Sequence, residues 1–294
     1  MKLRGWLICN GFLTGAKFSE HTRMLMRSAE KNGIDMTCLS NADVIYSVSE
    51  DGIKFFVPLP DFVLFWDKDV RLAYALESAG IRCFNSAKTI ELCDDKALSY
   101  EIFAKAGIKI PKTFFAPLTF ENVGYQSEDY FRFAGEQLGY PLVLKERFGS
   151  FGKQVYLINS PEELFEKVRE RAPRPMLMQE LIKTSYGKDL RVNIVGGEVV
   201  ATMLRTAPPN DFRANVTAGG KMELYEPTEE EKNIAIACSE AVGADFSGVD
   251  LMFGEDGPVV CEINSNAYIK NITALTGVNI ADKIFEHIKR SILP

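Results

Sequence analysis

The sequence lacks the features that mark several specialised classes of protein. No apolar run in its 294 residues approaches the ~20 residues that a membrane-spanning helix needs. The apolar stretch behind the basic N-terminal residues is too short for the core of a signal peptide. Low-complexity segments and internal repeats are absent. We therefore expect a cytoplasmic protein with no membrane partner.

The cysteines, the net charge and the glycines exclude three further kinds of site or partner. The six cysteines show no paired spacing that indicates zinc or a redox dithiol, and we expect buried, reduced thiols. A net charge of −6 argues against a nucleic-acid partner. Gly11 and Gly15 do not have the spacing of a dinucleotide fingerprint. The N-terminal region is therefore not expected to bind NAD.

The first part of the chain, residues 1–89, alternates strand and helix patterns. Apolar runs predict strands over Trp6–Cys9 and Phe62–Trp66. Amphipathic patterns that stop at glycine predict helices over Ser19–Asn32 and Val70–Ala79. Strands that alternate with helices indicate a small, mainly parallel α/β domain.

The pattern changes at residue 90, and we predict two further domains over residues 90–180 and 181–294. The middle domain is predicted to contain a helix over Ile90–Ala106, strands over Tyr140–Lys145, Gln154–Ile158 and Met176–Glu180, and a helix capped by Ser160. The last domain is predicted to contain a hairpin joining Leu190–Val195 to Val199–Leu204, a helix after the capping box Thr228–Glu231, a hairpin over Gly248–Asn264 and a helix over Ile280–Ile292.

The hairpin over Gly248–Asn264 carries oxygen-bearing side chains on one face. If its turn centres near Asp256, strand alternation places Asp250, Glu262 and Asn264 together. The opposite face would hold Val249, Leu251, Cys261 and Ile263. Three oxygen donors suit a hard cation such as Mg²⁺, which prefers oxygen ligands and keeps positions open for phosphates. The alternative is a solvated polar face, although opposed carboxylates are destabilising without a cation between them.

A phosphate site is indicated by a lysine and the loop that follows it. Lys145 ends an apolar strand, and Gly149, Ser150 and Gly152 lie in a loop whose N–H groups could close over phosphates. The alternative is an ordinary hairpin turn. Lys96 begins a helix after two acidic residues, and a surface lysine paired with those acids is its simpler interpretation.

Two further segments are candidates for nucleotide contacts. The run Gln179, Glu180, Leu181 and Ile182 lies where a strand passes between predicted domains, and backbone groups at such a hinge can bind an adenine edge. An ordinary strand end is the alternative. Further along, Asp189 and Arg191 share a strand face, and Arg213 and Asn215 lie in a loop. Arg213 could neutralise a transferring phosphoryl group, or it could simply be solvated.

In their order along the chain, these motifs resemble those of the ATP-grasp ligases, and within them the RimK-type α-L-glutamate ligases. The resemblance extends over essentially all 294 residues and is most specific at the run Asp-Phe-Arg-x-Asn followed by two glycines. Its other carriers are Asp95-Lys96, Pro141–Lys145, Gln179–Ile182, Gly187–Arg191, Gly248–Asp250 and Glu262–Asn264. It implies an ATP-grasp fold, of α/β and α+β class, behind an N-terminal parallel α/β domain.

The resemblance also implies roles for individual residues. Lys96 and Lys145 would contact the ATP phosphates under the Gly149–Gly152 loop, and Glu180 and Ile182 would hold adenine largely through backbone atoms. Asp189 would contact the nucleotide sugar. Asp250, Glu262 and Asn264 would bind two Mg²⁺ ions, with Mn²⁺ as a substitute. Arg213 would face the γ-phosphate, and Asn215 would orient substrate or metal.

The implied activity is the ATP-dependent formation of an amide through an acylphosphate, with release of ADP. The substrates would be glutamate or a similar amino acid and the carboxylate of a protein tail, a peptide or a small molecule. Two alternatives stay open: a macrocyclase of a ribosomally made peptide, and a nucleotide-binding regulator without turnover. RimK-like relatives also suggest a homo-oligomer.

One segment departs from the family pattern. Many relatives continue from the metal-binding Glu-x-Asn into a Pro-Gly turn, whereas this chain has Ser265–Lys270. Tyr268 and Lys270 are candidates for substrate contacts, although an exposed position is the simpler expectation for Lys270. The segment Trp66–Asp69 could face the same cleft or form a plain turn. His21 is expected at the surface or at a helix start, without a part in the reaction.

Overall fold

The computed structural model describes residues 2–150, 152–209, 211–214 and 219–293. These residues form sheets of four, four and five strands and a two-stranded ribbon. No helix within these ranges is long and apolar enough to cross a membrane. The three sheets follow one another along the chain, and each carries its own helices.

The N-terminal part is a parallel sheet with helices. Its elements are β1 (Arg4–Cys9), α1 (Ala16–Lys31), β2 (Asp35–Ser40), β3 (Tyr46–Ser49), β4 (Gly52–Phe55), β5 (Phe62–Phe65), α2 (Val70–Ser78), β6 (Arg82–Phe84), α3 (Ala87–Asp94) and α4 (Lys96–Lys105). The strand order is β2-β1-β5-β6 with every pair parallel, while β3 and β4 form the ribbon. The parallel α/β character predicted for this region is confirmed.

The middle part is an antiparallel sheet in the order β7-β10-β8-β9. Its elements are β7 (Thr113–Phe115), α5 (Asp129–Leu138), β8 (Leu142–Glu146), β9 (Val155–Ile158), α6 (Pro161–Arg171) and β10 (Met176–Glu180). Helix α6 begins as predicted, because the Glu163 N–H donates to Ser160 Oγ at 3.2 Å and Pro161 is the first helical residue.

The C-terminal part is a second antiparallel sheet, in the order β13-β12-β11-β14-β15. It follows a short 3₁₀ helix (Lys183–Ser185) and comprises β11 (Lys188–Val195), β12 (Glu198–Thr206), β13 (Lys221–Leu224), α7 (Glu229–Ala241), β14 (Phe246–Gly254), β15 (Gly257–Asn264), α8 (Lys270–Thr276) and α9 (Ile280–Ile292). Both predicted hairpins, the capping box at Thr228 and the last helix are confirmed.

The prediction of one helix over Ile90–Ala106 is wrong, because Asp95 divides it into α3 and α4. Asp95 has an extended backbone (φ −93°, ψ 103°), and its carboxylate accepts a hydrogen bond from the Ala97 N–H at 2.9 Å. It therefore ends one helix and caps the next. Apolar residues continue on both sides of the break, so their spacing does not reveal it.

The N-terminal and C-terminal parts share one hydrophobic core. Leu7, Phe62 and Phe84 of the parallel sheet pack in the same cluster as Phe246 and Phe285 of the C-terminal part. Because this core spans both parts, the parallel sheet is held against the C-terminal sheet.

A buried amide strengthens this junction. Asn85 is fully buried, and its Nδ2 donates to the carbonyl oxygens of Phe246 and Ser265, each at 2.8 Å. Its Oδ1 accepts from the N–H groups of Asp245 and Phe246 at 2.7 and 3.2 Å. All the polar capacity of the Asn85 side chain is thus used to join the two parts.

Candidate active site

A cavity of about 390 Å³ lies where the three parts of the chain meet. It is lined by every predicted site residue that the structure describes, namely Lys96, Lys145, Gly149, Ser150, Gly152, Gln179, Glu180, Leu181, Ile182, Asp189, Arg191, Arg213, Asp250, Glu262 and Asn264. Asn215 lies outside the described residues. Residues that are up to 168 positions apart in the sequence, from Lys96 to Asn264, are therefore brought to one site.

Two lysines form a positive region at the start of α4 and on β8. Lys96 is buried, and its Nζ donates to the carbonyl oxygens of Arg147 and Gly149 at 3.5 and 3.4 Å. Burial lowers the pKa of Lys96, an effect opposed by the charge of Glu262. Burial also acts to lower the pKa of Lys145, but Tyr100, Cys261 and Glu262 raise it above its ordinary value. Both cations therefore lie close to the carboxylate of Glu262.

The interpretation of Lys96 as a surface lysine paired with its neighbouring acids is wrong. Asp95 is occupied by Arg147, whose Nε donates to Asp95 Oδ1 at 2.9 Å. Asp94 is paired with Lys68. The Lys96 ammonium therefore points away from both acids and towards the glycine loop.

The glycine loop is held from two sides. Lys68, from the loop after β5, donates to Ser150 Oγ at 3.1 Å. Arg213 Nη1 donates to the carbonyl oxygen of Gly152 at 3.0 Å. The same guanidinium binds both carboxylate oxygens of Asp211 at 3.0 and 3.1 Å. Arg213 is thus bound to the loop that is predicted to cover the phosphates.

The run predicted to hold adenine spans the end of β10, and two of its side chains have structural partners. Gln179 is buried, and its Nε2 donates to Thr113 Oγ1 at 2.8 Å. The Glu180 carboxylate accepts from the Lys112 N–H at 2.7 Å. Because these two side chains have partners, the predicted adenine contact of Glu180 would use its backbone atoms.

The metal hairpin pairs as predicted, with Asp250 opposite Glu262 and Gly248 opposite Asn264. The carboxylate of Asp250, however, is paired with two arginines. Its Oδ2 accepts from Arg191 Nη2 at 2.7 Å and lies 2.8 Å from Arg205 Nη2. Its Oδ1 accepts from Arg191 Nε. Burial opposes ionisation, but the two arginines hold the pKa of Asp250 at about 2.

Arg205 is a residue of the site that was not identified from the sequence. It lies directly across the hairpin from Asp189 and donates to both oxygens of that carboxylate at 2.6 Å. Burial and repulsion from Asp250 nevertheless raise the pKa of Asp189 to about 6. A count of register across the Gly196-Gly197 turn would have placed Arg205 beside Asp189, allowing for the bulge at Asn193. Two acids and two arginines thus form a buried network of balanced charge.

The prediction for Cys261 is wrong. The register of β14 and β15 shifts between Asp250 and Leu251, so that Val260 pairs with Leu251. Val260 therefore joins Leu251 in the hydrophobic core, and Cys261 turns towards the cavity. Strand alternation fails here because a bulge adds one residue to one strand.

The expectation that His21 lies at the surface is also wrong. Its side chain is buried in α1, lines the cavity and contacts the rings of Trp66 and Tyr268, with ring centroids 5.0 and 4.8 Å away. Burial and the charge of Lys17 lower the pKa of His21 to about 4. Trp66 and Tyr268 thus do face the cavity, whereas Lys270 is exposed and pairs with Glu20.

The side-chain oxygens of Asp250, Glu262 and Asn264 suit a divalent cation if the Asn264 amide oxygen is one of the ligands. Asn264 Nδ2 donates to Glu262 Oε1 at 3.1 Å, which leaves the Asn264 carbonyl oxygen and the other Glu262 oxygen as donors. Asp250 retains acceptor capacity at Oδ1 only, because its Oδ2 is shared by two arginines. Among the described residues, no cluster of three or more His, Cys, Asp or Glu side chains could hold a metal. Two carboxylates and one amide oxygen still fit Mg²⁺, which needs few protein ligands.

Known proteins resemble this chain both in sequence and in fold. The family model of the RimK-like ATP-grasp domain matches residues 93–288. A probable alpha-L-glutamate ligase of Methanococcoides burtonii is 32% identical over 291 residues, covering 92% of this chain and 91% of that protein. One of Parasynechococcus marenigrum is 33% identical over 218 residues, covering 74% of this chain. The chain spans 45% of the length of that relative.

Two solved structures show the same fold. A RimK domain protein ATP-grasp from Sphaerobacter thermophilus superposes with a TM-score of 0.74 at 20% identity, covering 97% of this chain and 98% of that one. The ATP-grasp ligase PsnB, complexed with a phosphomimetic variant of minimal precursor, Mg and ADP, has a TM-score of 0.72 at 15% identity, covering 98% of both chains. The ATP-grasp fold predicted from the sequence is confirmed.

Proposed function

Because the chain belongs to the RimK-like ATP-grasp family, we propose that it is an ATP-dependent ligase that joins an amine to a carboxylate. The observation that carries the proposal is the single cavity that holds two buried lysines, a glycine loop, an arginine and the oxygen donors of the metal hairpin. The names of the relatives make glutamate the first amino acid to test. The acceptor would be the carboxylate of a protein, a peptide or a small molecule.

In the proposed reaction, a substrate carboxylate attacks the γ-phosphoryl group of ATP, which forms an acylphosphate and releases ADP. The amine then attacks the acyl carbon, the C–N bond forms, phosphate leaves and the nitrogen loses a proton. Such a reaction needs positioning and neutralisation of charge more than a protein nucleophile. Lys96 and Lys145 would neutralise phosphate oxygens, and the N–H groups of the glycine loop would bind them.

The arginines of the site would have different tasks. Arg213 would leave Asp211 and the Gly152 carbonyl to bind the transferring phosphoryl group, whereas Arg191 and Arg205 would keep Asp250 ionised and fixed. Glu262, Asn264 and Asp250 would hold two Mg²⁺ ions, for which Mn²⁺ could substitute. When bound, these ions supply further neutralisation of the phosphate charge.

Replacement of Glu262 tests this proposal. Glu262→Ala removes the carboxylate whose charge acts on both lysines and that is assigned to the metal, so turnover is expected to fall by at least about 100-fold at saturating Mg²⁺. The assay is ADP and phosphate release that depends on an added amine and an added carboxylate. Glu255→Ala is the matched control, because Glu255 lies exposed in the turn of the same hairpin. Near-normal activity of the folded Glu262→Ala variant would contradict the assignment of Glu262 to the metal site.

Two other functions share parts of this site. A peptide macrocyclase would use the same ATP chemistry, and the likeness to PsnB concerns the fold alone. A non-catalytic nucleotide-binding regulator would bind ATP without releasing phosphate in the presence of any amine and carboxylate. The presence of Lys96, Lys145, Arg213, Glu262 and Asn264 in one cavity favours a catalytic protein. Mass spectrometry of products from reactions with amino acids and cell extract separates ligation from cyclisation.

A further inference from the structure

Three rings from separate elements form one wall of the cavity. His21 comes from α1, Trp66 from the end of β5, and Tyr268 from the loop between β15 and α8. The imidazole makes T-shaped contacts with both neighbours, with interplanar angles of 90° to Trp66 and 72° to Tyr268. We refer to these three residues as the aromatic wall.

The aromatic wall is connected to the parts of the site that are assigned to phosphate and metal. Lys68, two residues after Trp66, donates to Ser150 Oγ of the glycine loop at 3.1 Å. Tyr268 follows Asn264 by four residues, and the intervening Asn266 and Ala267 also line the cavity. The aromatic wall therefore belongs to the same cavity as the proposed phosphoryl-transfer site.

The wall has a hydrogen-bonding atom that no described residue uses. His21 is 6% exposed, and its Nε2 is buried without a hydrogen-bond partner among the described residues. An unpaired buried polar atom is destabilising, and a ligand group that pairs with it would remove this cost. The imidazole is neutral near neutral pH, because burial and Lys17 oppose its protonation. It can therefore donate or accept a hydrogen bond, but it offers no charge to a carboxylate.

The charge next to the wall also disfavours an acidic ligand. Asp67 is almost fully buried beside Trp66 and accepts two hydrogen bonds from Asn10 Nδ2, at 3.2 and 3.3 Å. Two lysines also line this part of the cavity: Lys68 pairs with Asp94, and Lys17 Nζ lies 4.8 Å from the centroid of the Tyr268 ring. A second carboxylate here would meet Asp67 and two aromatic rings.

We propose that the aromatic wall is the specificity pocket for the amino-acid substrate, and that it selects an uncharged aromatic side chain over the carboxylate side chain of glutamate. One side of the Trp66 ring already stacks on Phe246, with ring centroids 5.3 Å apart. Contact with the parts of Trp66 and Tyr268 that line the cavity supplies the affinity, and a polar atom of the ligand, such as the tyrosine hydroxyl, pairs with His21 Nε2. This inference rests on the proposed ligase function. It makes an aromatic amino acid the expected substrate, in place of the glutamate in the names of the relatives.

Direct binding tests the proposal without turnover. The chain has two tryptophans, and Trp6→Phe leaves Trp66 as a fluorescent reporter within the wall. With ADP and Mg²⁺ present, phenylalanine and tyrosine are expected to change the Trp66 emission at concentrations about tenfold lower than glutamate. Glutamate that binds as well as or better than both aromatic amino acids, or a lack of response to all three, would overturn the proposal.

Substitution of Tyr268 adds a kinetic test with matched controls. Tyr268→Ala is expected to raise the KM for the aromatic amino acid about tenfold and to leave the KM for ATP unchanged. Tyr268→Phe keeps the ring and should keep the preference. Phe133→Ala removes an exposed ring of α5, remote from the cavity lining, and should change neither constant. An unchanged KM in Tyr268→Ala would contradict the assignment of the wall.

The same assay separates the two proposals. Phosphate release stimulated by glutamate and not by aromatic amino acids would overturn the specificity of the wall and leave the ligase function standing. No stimulated release with any amino acid or acceptor would overturn the ligase function itself, and with it the assignment of the wall.

Discussion

At the scale of single residues, the buried charges of the site are arranged as matched pairs. Arg205 holds Asp189, and Arg191 and Arg205 together hold Asp250. A buried charge that loses its partner costs several kcal/mol, so the network fixes the orientation of each member. Asp250 is thereby kept ionised opposite Glu262 in the hairpin.

The neutral His21 imidazole predicts a dependence of stability on pH. The pKa of His21 is lowered to about 4 in the folded chain, from an ordinary value near 6.5. The stability that the neutral imidazole contributes is fully present above the pKa of His21 in the unfolded chain, about 6.5. It is lost as the pH falls through the pKa of His21 in the folded chain, about 4. Between about pH 7 and pH 4.5 this loss amounts to about 2–3 kcal/mol.

Replacement of the imidazole isolates that contribution. His21→Gln keeps a polar side chain that does not titrate, so its free energy of unfolding should fall less over this pH range than that of the original chain. Urea unfolding at several pH values measures the difference between the two slopes. Parallel slopes would show that His21 is not held neutral by its surroundings.

At the scale of elements, the break between α3 and α4 positions the glycine loop. Asp95 caps α4 through the Ala97 N–H and holds Arg147, which follows β8. Lys96 then reaches the Gly149 carbonyl from the first turn of α4. One residue at a helix boundary thus connects the N-terminal part to the loop predicted to cover the phosphates.

Substitutions of Asp95 separate its two tasks. Asp95→Asn keeps an oxygen that can cap α4 and loses the charge that holds Arg147, so the affinity for ATP should weaken about tenfold with a stability loss of about 1 kcal/mol. Asp95→Ala loses the cap as well and should be less stable than Asp95→Asn by about 1 kcal/mol more. Calorimetric ATP binding and urea unfolding provide the two readouts. Equal ATP affinity in Asp95→Asn and the original chain would contradict the connection.

The elements also show how much of the molecule could be predicted from its sequence. Hairpins and caps were predictable because turn glycines, alternation and capping residues act locally, as at the capping box of Thr228. The break at Asp95 and the bulge opposite Asp250 were missed, because apolar spacing continues through the first and a bulge leaves no clear local signal. His21 was missed because its burial depends on contacts across the fold, whereas Arg205 was missed because the register of the hairpin that it shares with Asp189 was not counted. The predicted site residues that the structure describes line one cavity, while their assignment as site residues, their individual roles and the domain boundaries stay predictions.

At the scale of the whole molecule, the fully buried Asn85 is the polar junction between the first and last parts of the chain. One of its acceptors is the carbonyl of Ser265, which begins the segment leading to Tyr268. The loop that carries one ring of the aromatic wall is therefore anchored to the N-terminal part of the protein.

Asn85→Ala should destabilise the protein by at least about 3 kcal/mol, because it leaves backbone groups of Asp245, Phe246 and Ser265 buried without partners. Thermal or urea unfolding measures the loss. Asn32→Ala is the control, since the Asn32 side chain makes one hydrogen bond within the N-terminal part, to the Ser28 carbonyl, and its loss should cost about 1 kcal/mol. Similar losses in the two variants would rule out Asn85 as the junction.

The contact between Arg213 and the Gly152 carbonyl has a kinetic consequence. It joins the loop around Asp211 to the glycine loop across the cavity, so a nucleotide that is to lie between them must first part them. If ATP binds between these loops as proposed, its rate of entry would be limited by the opening rate of this contact, however tightly ATP binds afterwards. Arg213, once released, would be available to the phosphate, so that entry of the nucleotide and assembly of the proposed catalytic charge would be coupled.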